Sequence, residues 1–484
     1  MTSRPTFCWR LTGLIALLAS PLIAQAHDGH DHPPQAVPET EAHRPTAIPD
    51  RIIRTFAKDP SRSIAVTWRT DASVSRAVAQ IAPADDGPKF VAAARTLEAA
   101  SQPLTTDLGD ARYHSIVFDD LAPSRIYAYR VGDGVNWSEW VHARTAAATA
   151  EPFSFIYFGD AQNDLKSLWS RVIRGAYSDA PKAAFIIHAG DLVNRANRDA
   201  LWGEWFHAGG WVNAMVPSLP TPGNHEYERP AVPTAAPAAK ADTAAQAPAS
   251  KAATETPKAA LSRHWRPQFT LPEHGPPGLE ESVYHVDYQG VRIVSLNSNE
   301  RLADQVPWLE KTLTENPNRW TVVTFHHPIY SAAMARDNPT LRNLWQPLFD
   351  RYKVDLVLQG HDHTYARSGL RVHENVATGV SRRDDGGGTV YVVSVSGPKM
   401  YDNKREDWMV RSGEDTQLYQ IITIDGDRLS YEARTALGEL YDGFELHKRA
   451  GGVNELINRV PKTPERHRPA AVKAEKAATG AGGD

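Results

Sequence analysis

Residues 48–146 carry apolar side chains at every second position in several short runs. The alternation is clearest at residues 64–68 and 127–131, where aliphatic or aromatic side chains alternate with small or polar ones. A period of two is typical of β-strands that bury one face. Turn sequences such as Asp59-Pro60 separate the runs. Short strands and turns at this spacing predict a small all-β sandwich over residues 48–146.

From residue 151 the pattern changes to apolar runs that each end in a cluster of glycine and polar residues. Runs of this kind cover residues 153–158, 184–187, 320–325 and 354–358. Segments with helical periodicity lie between them, for example Leu341, Leu344 and Leu348. Strands that alternate with helices predict an α/β domain, which we place at residues 151–447. Ligands of such sheets bind at the carboxyl ends of the strands, so the polar clusters are expected to converge there.

Three segments contain too few core-forming residues to fold on their own: a His- and Pro-rich stretch at 27–47, an Ala- and Pro-rich insertion at 229–261 and a tail at 463–484. We expect all three to be disordered. Two alternatives stay open. The histidines near residue 30 could bind a metal ion, and the alanines of the insertion could form a helix, although prolines interrupt it.

Residues 1–26 have the features of a secretory signal peptide. Two arginines precede an apolar run at 11–23, and Ala24-Gln25-Ala26 provides a cleavage site. The run is short for a membrane span, and an uncleaved anchor is the alternative. We therefore predict an exported protein, periplasmic or secreted, without a transmembrane segment in the mature chain. Cleavage would remove Cys8, the one cysteine of the chain, so neither a disulfide framework nor a cysteine-based metal cluster is expected.

Composition narrows the function further. The chain has 484 residues, enough for two or three domains, and 41% hydrophobic residues exclude global disorder. Its 53 Lys and Arg against 57 Asp and Glu give a net charge of −4. Without a basic excess, no nucleic-acid binding is expected. With 19 histidines present, any metal chemistry must use histidine, carboxylate and amide ligands.

Five polar clusters follow the strand-like runs or turns in order, at residues 159–162, 190–194, 223–226, 326–328 and 360–363. Each alone is weak evidence, because Gly-Asp and Pro-Gly-Asn are common in turns, where glycine allows a sharp bend. Together they supply Asp, Asn and His side chains, which suit a borderline divalent or trivalent metal ion. A carboxylate can bridge two ions, the role assigned to Asp191, while Asp160 would bind one. Two metals about 3.5–4 Å apart would clamp an in-line displacement at phosphorus.

The order of these motifs resembles that of the calcineurin-like metallophosphoesterase superfamily. The sandwich before them resembles the N-terminal domain of purple acid phosphatases, and residues 120–130 are similar to the end of a fibronectin type III repeat. The resemblance covers residues 48–447. It implies a four-layer αββα catalytic domain with a dinuclear centre of Fe, Zn or Mn, and a small phosphate ester as the substrate.

Carried over by position, the resemblance implies a ligand set for each metal. One metal would bind Asp160, Asp191 and His363, and the other Asp191, Asn224, His326 and His361. His225 matches the family histidine that contacts the phosphate and is the candidate general acid. The implied reaction is attack on phosphorus by a metal-bound hydroxide, with catalysis dependent on Asp191 and His225.

Two positions depart from the family pattern. Purple acid phosphatases have a tyrosine three residues after the bridging Asp, where this chain has Asn194. Tyrosinate-to-iron charge transfer colours those enzymes, so this protein is expected not to be purple, and the case for ferric iron is weaker. Many superfamily members have a histidine two residues after the first Asp, where this chain has Gln162. Its amide oxygen is a candidate metal ligand; the alternative is a side chain that only adjoins the ligands.

Side chains that adjoin the motifs are candidates for binding substrate: Asn163, His327, Tyr365 and Arg367, in addition to His225. Arg367 could contact a phosphate through two N–H groups, and an ordinary salt bridge is the alternative. Neighbours on a strand point in opposite directions, so His327 either lines the pocket or packs behind the ligands.

These expectations favour an exported phosphatase that hydrolyses phosphate monoesters. A phosphodiesterase that acts on nucleotides or phospholipid headgroups is the alternative, because the openness of the pocket would decide between them. A third possibility is a non-catalytic metal-binding or docking protein. Such a protein would be expected to lack a ligand or His225, and this chain lacks neither.

Overall fold

The computed structural model describes residues 36–228, 258–373 and 388–469. Outside these residues lie the predicted signal peptide and parts of the three segments expected to be disordered, at 1–26, 27–47, 229–261 and 463–484. Among the helices that are described, none is both long enough and apolar enough to cross a membrane.

The N-terminal domain consists of strands that form two facing sheets. Its strands are β1 Asp50–Thr55, β2 Ile64–Asp71, β3 Val78–Pro83, β4 Arg95–Glu98, β5 Ala100–Thr106, β6 Gly109–Phe118, β7 Ile126–Gly132 and β8 Val141–Arg144. The sheets have the orders β1-β2-β6-β5 and β4-β3-β7-β8, with antiparallel pairing throughout. Ile64, Val66 and Trp68 pack with Tyr129 and Val131 between them. The sandwich predicted from the alternating pattern is confirmed.

Strand β2 buries its second face as well as its first. Ala65, Thr67 and Arg69 are at most 2% exposed. Thr67 Oγ1 lies 2.8 Å from Oγ1 of Thr270, which belongs to the α/β domain. The sandwich is therefore not a detached module, because its outer surface here is covered by the domain that follows.

The α/β domain begins at β9, and the strands and helices alternate as expected. Its strands are β9 Phe153–Phe158, β10 Ile186–His188, β11 Ser218–Pro220, β12 Tyr227–Glu228, β13 Ala260–Leu261, β14 Tyr284–Tyr288, β15 Val291–Ser295, β16 Trp320–Thr324, β17 Leu356–Gln359, β18 Tyr365–Arg371, β19 Thr389–Val393, β20 Met409–Gly413, β21 Leu418–Asp425, β22 Arg428–Thr435, β23 Leu440–Lys448 and β24 Asn454–Asn458. The α-helices of the chain are α1 Glu39–Ala42, α2 Ser170–Asp179, α3 Asp199–Gly209, α4 Trp211–Met215, α5 Trp265–Gln268, α6 Val306–Thr314 and α7 Pro339–Arg351. Short helical turns occupy Pro88–Ala93, Leu165–Trp169, Asn224–Glu226 and Ala450–Gly452.

Two sheets face each other in this domain. One has the order β24-β23-β22-β21-β9-β10-β11 and continues through the parallel pair β11–β1 into the sandwich, so that 11 of the described strands share one sheet. The other has the order β14-β15-β16-β17-β19-β18-β20.

Alternate residues of the second sheet enter different cores. Ile293 and Val322 pack toward the first sheet, in the core that also contains α2 and α3. Val294 and Val323 pack under α6 and α7. A helical layer on each outer side gives the four-layer αββα arrangement, and the predicted fold class is confirmed.

Two segments expected to be disordered contain ordered structure. Within 27–47, helix α1 is held by an ion pair of 2.7 Å between Glu39 and Arg198. Within 229–261, strand β13 pairs with β12. A stretch without core residues can be ordered where an adjoining surface supplies backbone and charge partners. The prediction of disorder was wrong for these residues.

The C-terminal boundary lies further along the chain than residue 447. Strand β24 extends the first sheet to Asn458 by pairing with β23. In the segment 463–484, Arg468 forms an ion pair with Asp402 of the α/β domain. The first residues of this tail are therefore packed and not frayed, because charged groups on the domain hold them.

A buried charge network joins the sandwich to α3. The carboxylate of Asp199 contacts Arg51 of β1 at 2.7 Å and Arg69 of β2 at 3.1 Å. His264 Nε2 lies 3.4 Å from the same carboxylate. Burial raises the pKa of Asp199, but the close approach of His264 Nε2 and the two guanidinium charges outweigh it and hold the pKa well below its usual range. Asp199 is therefore ionised and compensates both arginines at the domain joint.

Asp199→Ala should lower the free energy of unfolding by about 3–5 kcal/mol, because it leaves the buried guanidinium group of Arg51 without a counter-charge. Arg69 keeps a second carboxylate partner, Asp50, at 2.6 Å. Chemical denaturation measures this loss. Asp119→Ala is the matched control, since Asp119 pairs with Lys58 on the surface, and it should cost less than about 1 kcal/mol. Similar losses in the two variants would contradict the role assigned to the network.

Candidate metal centre

Loops from both sheets of the α/β domain meet at one edge. Strands β9, β10 and β11 lie side by side and parallel in the first sheet, as do β16 and β17 in the second. The carboxyl ends of parallel strands share an edge, where ligands bind. The structure brings together six side chains that follow these strands: Asp160, Asp191, Asn224, His326, His361 and His363.

One group of potential ligands is formed by Asp160, Asp191 and His363. One donor atom of each lies within 4.8 Å of the others, and His363 Nε2 is 2.9 Å from Asp160 Oδ2. Nδ1 of His363 lies 2.9 Å from the carbonyl oxygen of Lys399. When Nδ1–H donates to that carbonyl, the lone pair of Nε2 faces the carboxylates, as in a metal-binding histidine.

The second group shares Asp191 and adds His326 and His361. His326 Nε2 lies 3.2 Å from Asp191 Oδ2 and 3.0 Å from Asn224 Oδ1. His361 Nδ1 lies 2.9 Å from the same amide oxygen. His326 Nδ1 is 2.9 Å from the carbonyl oxygen of Ala189, which again directs Nε2 at the cluster. Because Asp191 belongs to both groups, it is the residue that two bound ions would share.

The chemistry of these donors fits two borderline metal ions. Imidazole nitrogen with carboxylate and amide oxygen suits Zn, Mn or Fe. Asp160 Oδ2 and Gln162 Oε1 are buried without a hydrogen-bond partner. Burial lowers the pKa of His326, but the charges of Asp191 and Asp160 outweigh it and raise the pKa to about 10. The position therefore strongly favours positive charge, and a metal must compete with a proton for it.

The backbone is strained at several of these residues. Asp191, His361 and His363 have φ angles of 52°, 74° and 44°, in a region that L side chains adopt infrequently. Such residues persist where surrounding contacts hold them, and they cluster at functional sites. One such contact joins two ligands, since the N–H of His361 donates to Asp160 Oδ1 at 2.6 Å.

Two glycines allow the loops to approach closely. A Cβ atom at Gly360 would lie 2.2 Å from Asp160 Oδ1, and one at Gly223 would lie 2.2 Å from Asp191 Oδ1. The sequence suggested that glycine serves sharp turns at the head of each motif. Among the motif glycines, only Gly190 has a positive φ, of 92°, so close approach is the better reason at Gly360 and Gly223.

Glu226 ties two ligand loops together, and sequence reasoning missed this role. Its buried carboxylate accepts the backbone N–H of Asp191 at 2.8 Å and that of Gly223 at 2.7 Å. Burial and the charge of Asp191 raise its pKa to about 8, while the backbone donors act in the opposite direction. The sequence could have indicated this role, because Glu226 directly follows the candidate site residues Asn224 and His225.

His225 stands beside the ligands and is partly open to solvent. Its backbone N–H donates to Asp191 Oδ1 at 2.9 Å, and its Nδ1 lies 2.7 Å from the carbonyl oxygen of Asn194. Its Nε2 lies 3.9 Å from Asp191 Oδ2, and the side chain is 25% exposed. Nε2 is therefore the atom that a molecule bound at the cluster would meet.

Gln162 ends on the potential ligand atoms. Its Nε2 lies 2.8 Å from His363 Nε2 and 3.1 Å from Asp191 Oδ2. The oxygen and nitrogen of an amide have nearly the same shape, and a half-turn of the amide exchanges them. That half-turn would place Oε1 among the ligand atoms, so Gln162 lies close enough for either role and its role as a ligand stays a prediction.

Two of the substrate-binding candidates lie in the loops of the cluster. The ring of His327 is 4.2 Å from that of His361 between centroids, and its Nδ1 is 2.9 Å from Ser298 Oγ. Burial and the charge of His326 lower the pKa of His327 to about 3, so its ring is neutral. Asn163 has a φ of 68° and a buried Oδ1 without a hydrogen-bond partner.

Tyr365 and Arg367 were assigned to the substrate pocket, and this prediction was wrong. Both are buried on β18, which leads away from His363 into the second sheet. The Tyr365 hydroxyl is 2.7 Å from Asp442 Oδ2. Arg367 binds the same carboxylate through Nε at 2.6 Å and Nη2 at 3.0 Å. The ordinary salt bridge, considered as the alternative for Arg367, is what the structure contains.

Both domains match models of known families. Residues 49–145 match the purple acid phosphatase N-terminal domain, and residues 153–365 match the calcineurin-like phosphoesterase family. An uncharacterized protein of Mycobacterium tuberculosis is 27% identical over 355 residues, which cover 65% of this chain and 61% of that protein. The Fe(3+)-Zn(2+) purple acid phosphatase 12 of Arabidopsis thaliana is 27% identical over 271 residues, 53% of this chain and 52% of the plant protein. The chain thus spans between half and two thirds of the length of these relatives.

Solved structures share the fold. A purple acid phosphatase from yellow lupin seeds superposes with a TM-score of 0.67 at 18% identity, over 84% of this chain and 75% of the lupin chain. The protein PhoD superposes with a TM-score of 0.60 at 12% identity, over 90% of this chain and 97% of PhoD. At these identities the likeness establishes the architecture.

Gly360→Ala should reduce the metal content of the purified protein, because the added methyl group would displace Asp160 from the ligand cluster. Elemental analysis measures the metals per chain. Gly369→Ala on β18 is the control, since its Cβ would meet Val410 Cγ2 at an ordinary 3.7 Å, and it should keep the wild-type content. A folded Gly360→Ala variant with full metal content would show that this close approach is dispensable.

Proposed function

We propose that this chain, which belongs to the calcineurin-like phosphoesterases and carries the N-terminal domain of purple acid phosphatases, hydrolyses phosphate monoesters at a two-metal centre. The family implies a phosphate ester as the substrate. The observation that carries the proposal is the presence of Asp191 in both groups of ligand atoms. One shared carboxylate between two ions suits an in-line displacement at phosphorus.

Each residue of the cluster has a definite part in holding the metals. Metal ions bound here would supply Lewis-acid chemistry, activating water and neutralising charge on the phosphoryl oxygens. Asp160, Gln162 and His363 would hold one ion, and Asn224, His326 and His361 the other, with Asp191 common to both. Glu226 positions Asp191 through backbone hydrogen bonds and does not contact the substrate.

His225 is the proposed general acid. Its Nδ1–H donates to the carbonyl oxygen of Asn194, so the protonated ring presents Nε2–H on the side of Asp191. From there it can donate a proton to the oxygen of the departing alcohol, which must leave without building up charge. The hydrogen bond from its backbone N–H to Asp191 keeps the ring in a fixed position relative to the metal ligands.

His327 is proposed to contact a phosphoryl oxygen. Ser298 Oγ accepts the backbone N–H of His327 at 2.9 Å and lies 2.9 Å from its Nδ1. If Ser298 donates its hydroxyl hydrogen to Nδ1, the neutral ring carries its proton on Nε2. The ring then offers one N–H donor at the wall of the site beside His361.

The proposal includes the identity of the metals and the cellular location of the protein. The Arabidopsis relative is named for Fe(3+) and Zn(2+), and the donor set here also accommodates Mn. With Asn194 in place of the tyrosine, the loaded protein should lack the tyrosinate colour of purple acid phosphatases. The features of residues 1–26 support export to the periplasm or the medium.

Removal of metal should abolish hydrolysis of p-nitrophenyl phosphate, because both the nucleophile and the charge neutralisation depend on it. Chelation followed by addition of Zn, Mn or Fe should restore activity with about two metals per chain. A higher kcat/KM for bis(p-nitrophenyl) phosphate than for the monoester would favour a phosphodiesterase. Loaded protein that hydrolyses neither ester would favour a non-catalytic metal-binding protein.

His225→Ala should keep both metals and lose about 10²–10⁴-fold in kcat, the usual contribution of a general acid. The loss should be smaller with 2,4-dinitrophenyl phosphate, whose leaving group needs little protonation. Asp191→Ala should lose metals and activity together. His447→Ala is the control for removal of a partly exposed histidine, since His447 pairs with Glu445 away from the cluster. An equal loss with both leaving groups in His225→Ala would contradict the role of acid.

A further inference from the structure

A cationic rim borders the metal cluster on one side. Arg336 Nη1 donates to the carbonyl oxygen of His361 at 3.2 Å, and its guanidinium lies 4.7 Å from the ring centroid of Tyr401. The Tyr401 ring stacks on His363 at 4.5 Å, and Lys399 Nζ lies 5.5 Å from the Tyr401 centroid. Two cations are therefore gathered beside the two histidines that follow β17.

The position of Arg336 is built into the fold. Its loop is joined to the loop of Tyr401 by a β-bridge between Ala333 and Asn403. Ala335, directly before Arg336, has a φ of 58°. This conformation is uncommon for a residue with a side chain and persists only where the surrounding structure holds it. The loop geometry therefore fixes the position of the Arg336 backbone beside the cluster.

The charge of Arg336 is only loosely compensated. Among the described residues, its ion-pair partner is the buried Asp362, with Nη1 at 3.8 Å from Oδ1, beyond hydrogen-bond distance. Its acidic neighbour Asp337 pairs with Arg342 instead, at 2.7 Å. The Arg336 side chain is 34% exposed. A guanidinium in this state retains N–H groups for an anion that arrives from solvent.

Arg336 contacts the ligand loop through its backbone. Its Nη1 donates to the carbonyl oxygen of His361, whereas Nδ1 of that histidine is the atom that faces the other ligands. Arg336 therefore lies beside the ligand cluster and not within it.

We propose that Arg336 binds a second anionic group of the substrate, next to the phosphoryl group at the metal centre. That group, a carboxylate or a further phosphate a few bonds from the ester, would accept two N–H donors from the planar guanidinium. The inference rests on the proposed phosphatase function and narrows its substrates to phosphate esters with an additional negative charge.

Two matched esters test the proposal: phenyl phosphate and 3-carboxyphenyl phosphate, which differ by one carboxylate. Wild-type protein with metals bound should prefer the carboxylated ester by about tenfold in kcat/KM, the size expected for a charge-assisted contact that is partly exposed. In Arg336→Gln this preference should fall to about 1. Arg336→Lys should retain part of it, because lysine keeps the charge and loses the planar fork.

Arg351→Gln is the control for the loss of one positive charge. Arg351 pairs with Glu310 between α7 and α6, and its variant should keep the wild-type preference. If Arg336→Gln lowers kcat/KM equally for the two esters, Arg336 acts by positioning His361 and the proposal is overturned. The absence of any preference in the wild type would overturn it as well.

A binding measurement separates this proposal from the proposed function. Titration calorimetry of the metal-loaded protein with inorganic pyrophosphate and orthophosphate should show tighter binding of pyrophosphate, and Arg336→Gln should reduce that difference by about tenfold. An inactive protein that still shows this behaviour would refute the phosphatase and support the anion site. An active protein whose preference for pyrophosphate is the same in wild type and variant would support the phosphatase and refute the binding of a second phosphate by Arg336. The comparison of the two phenyl esters then tests whether Arg336 binds a carboxylate.

Discussion

The burial of the Asp191 carboxylate is the constraint around which the rest of the site is arranged. A carboxylate with 1% exposure cannot be hydrated, so its charge must be met by neighbouring groups. Oδ1 accepts the N–H of His225, and Oδ2 faces His326 and Gln162. These partners come from three different loops, and the two sheets must therefore be held at a fixed separation. The N–H of His361 donates to Asp160 Oδ1, and Gly360 packs against the same carboxylate, so these contacts join the loops of the two sheets. Gly223 and Glu226 fix Asp191 within the loops of the first sheet.

The parts of the site that follow strand ends could be predicted from the sequence, and the parts that depend on distant loops could not. Asp160 and His363 were identifiable because they follow apolar runs by two and five residues, and parallel strands end at a common edge. The same reasoning failed at Arg367, which is only four residues beyond His363. Strand β18 starts in between, and carries the side chain to Asp442. A residue close in sequence to a ligand can therefore lie far from the ligand cluster when a strand begins between them.

Arg336 and Tyr401 illustrate the opposite case. Neither belongs to a motif, and they are brought to the cluster by pairing between two loops that are far apart in the chain.

A similar limit applies at the domain joint. The alternation in β2 correctly predicted a sandwich, but a period of two indicates burial of only one face. The α/β domain covers the other face of β2. The charges buried at this contact are compensated by the network around Asp199. The periodicity of a strand indicates which face packs inside its own domain. It does not indicate whether another domain covers the opposite face.

The distribution of charge is compatible with the proposed anionic substrate, although the chain is acidic overall. The net charge is −4, yet attraction at a cleft depends on the local field more than on the total. Asp160 and Asp191 are almost fully buried, and their negative charge already raises the pKa of His326 to about 10. Two divalent or trivalent ions carry more positive charge than these two carboxylates cancel, so a loaded centre is locally positive. Arg336, which contacts the carbonyl oxygen of His361, would extend that positive region past the ligands. In the proposed function, the buried acids would favour metal binding, and the metals together with Arg336 would favour an anionic substrate.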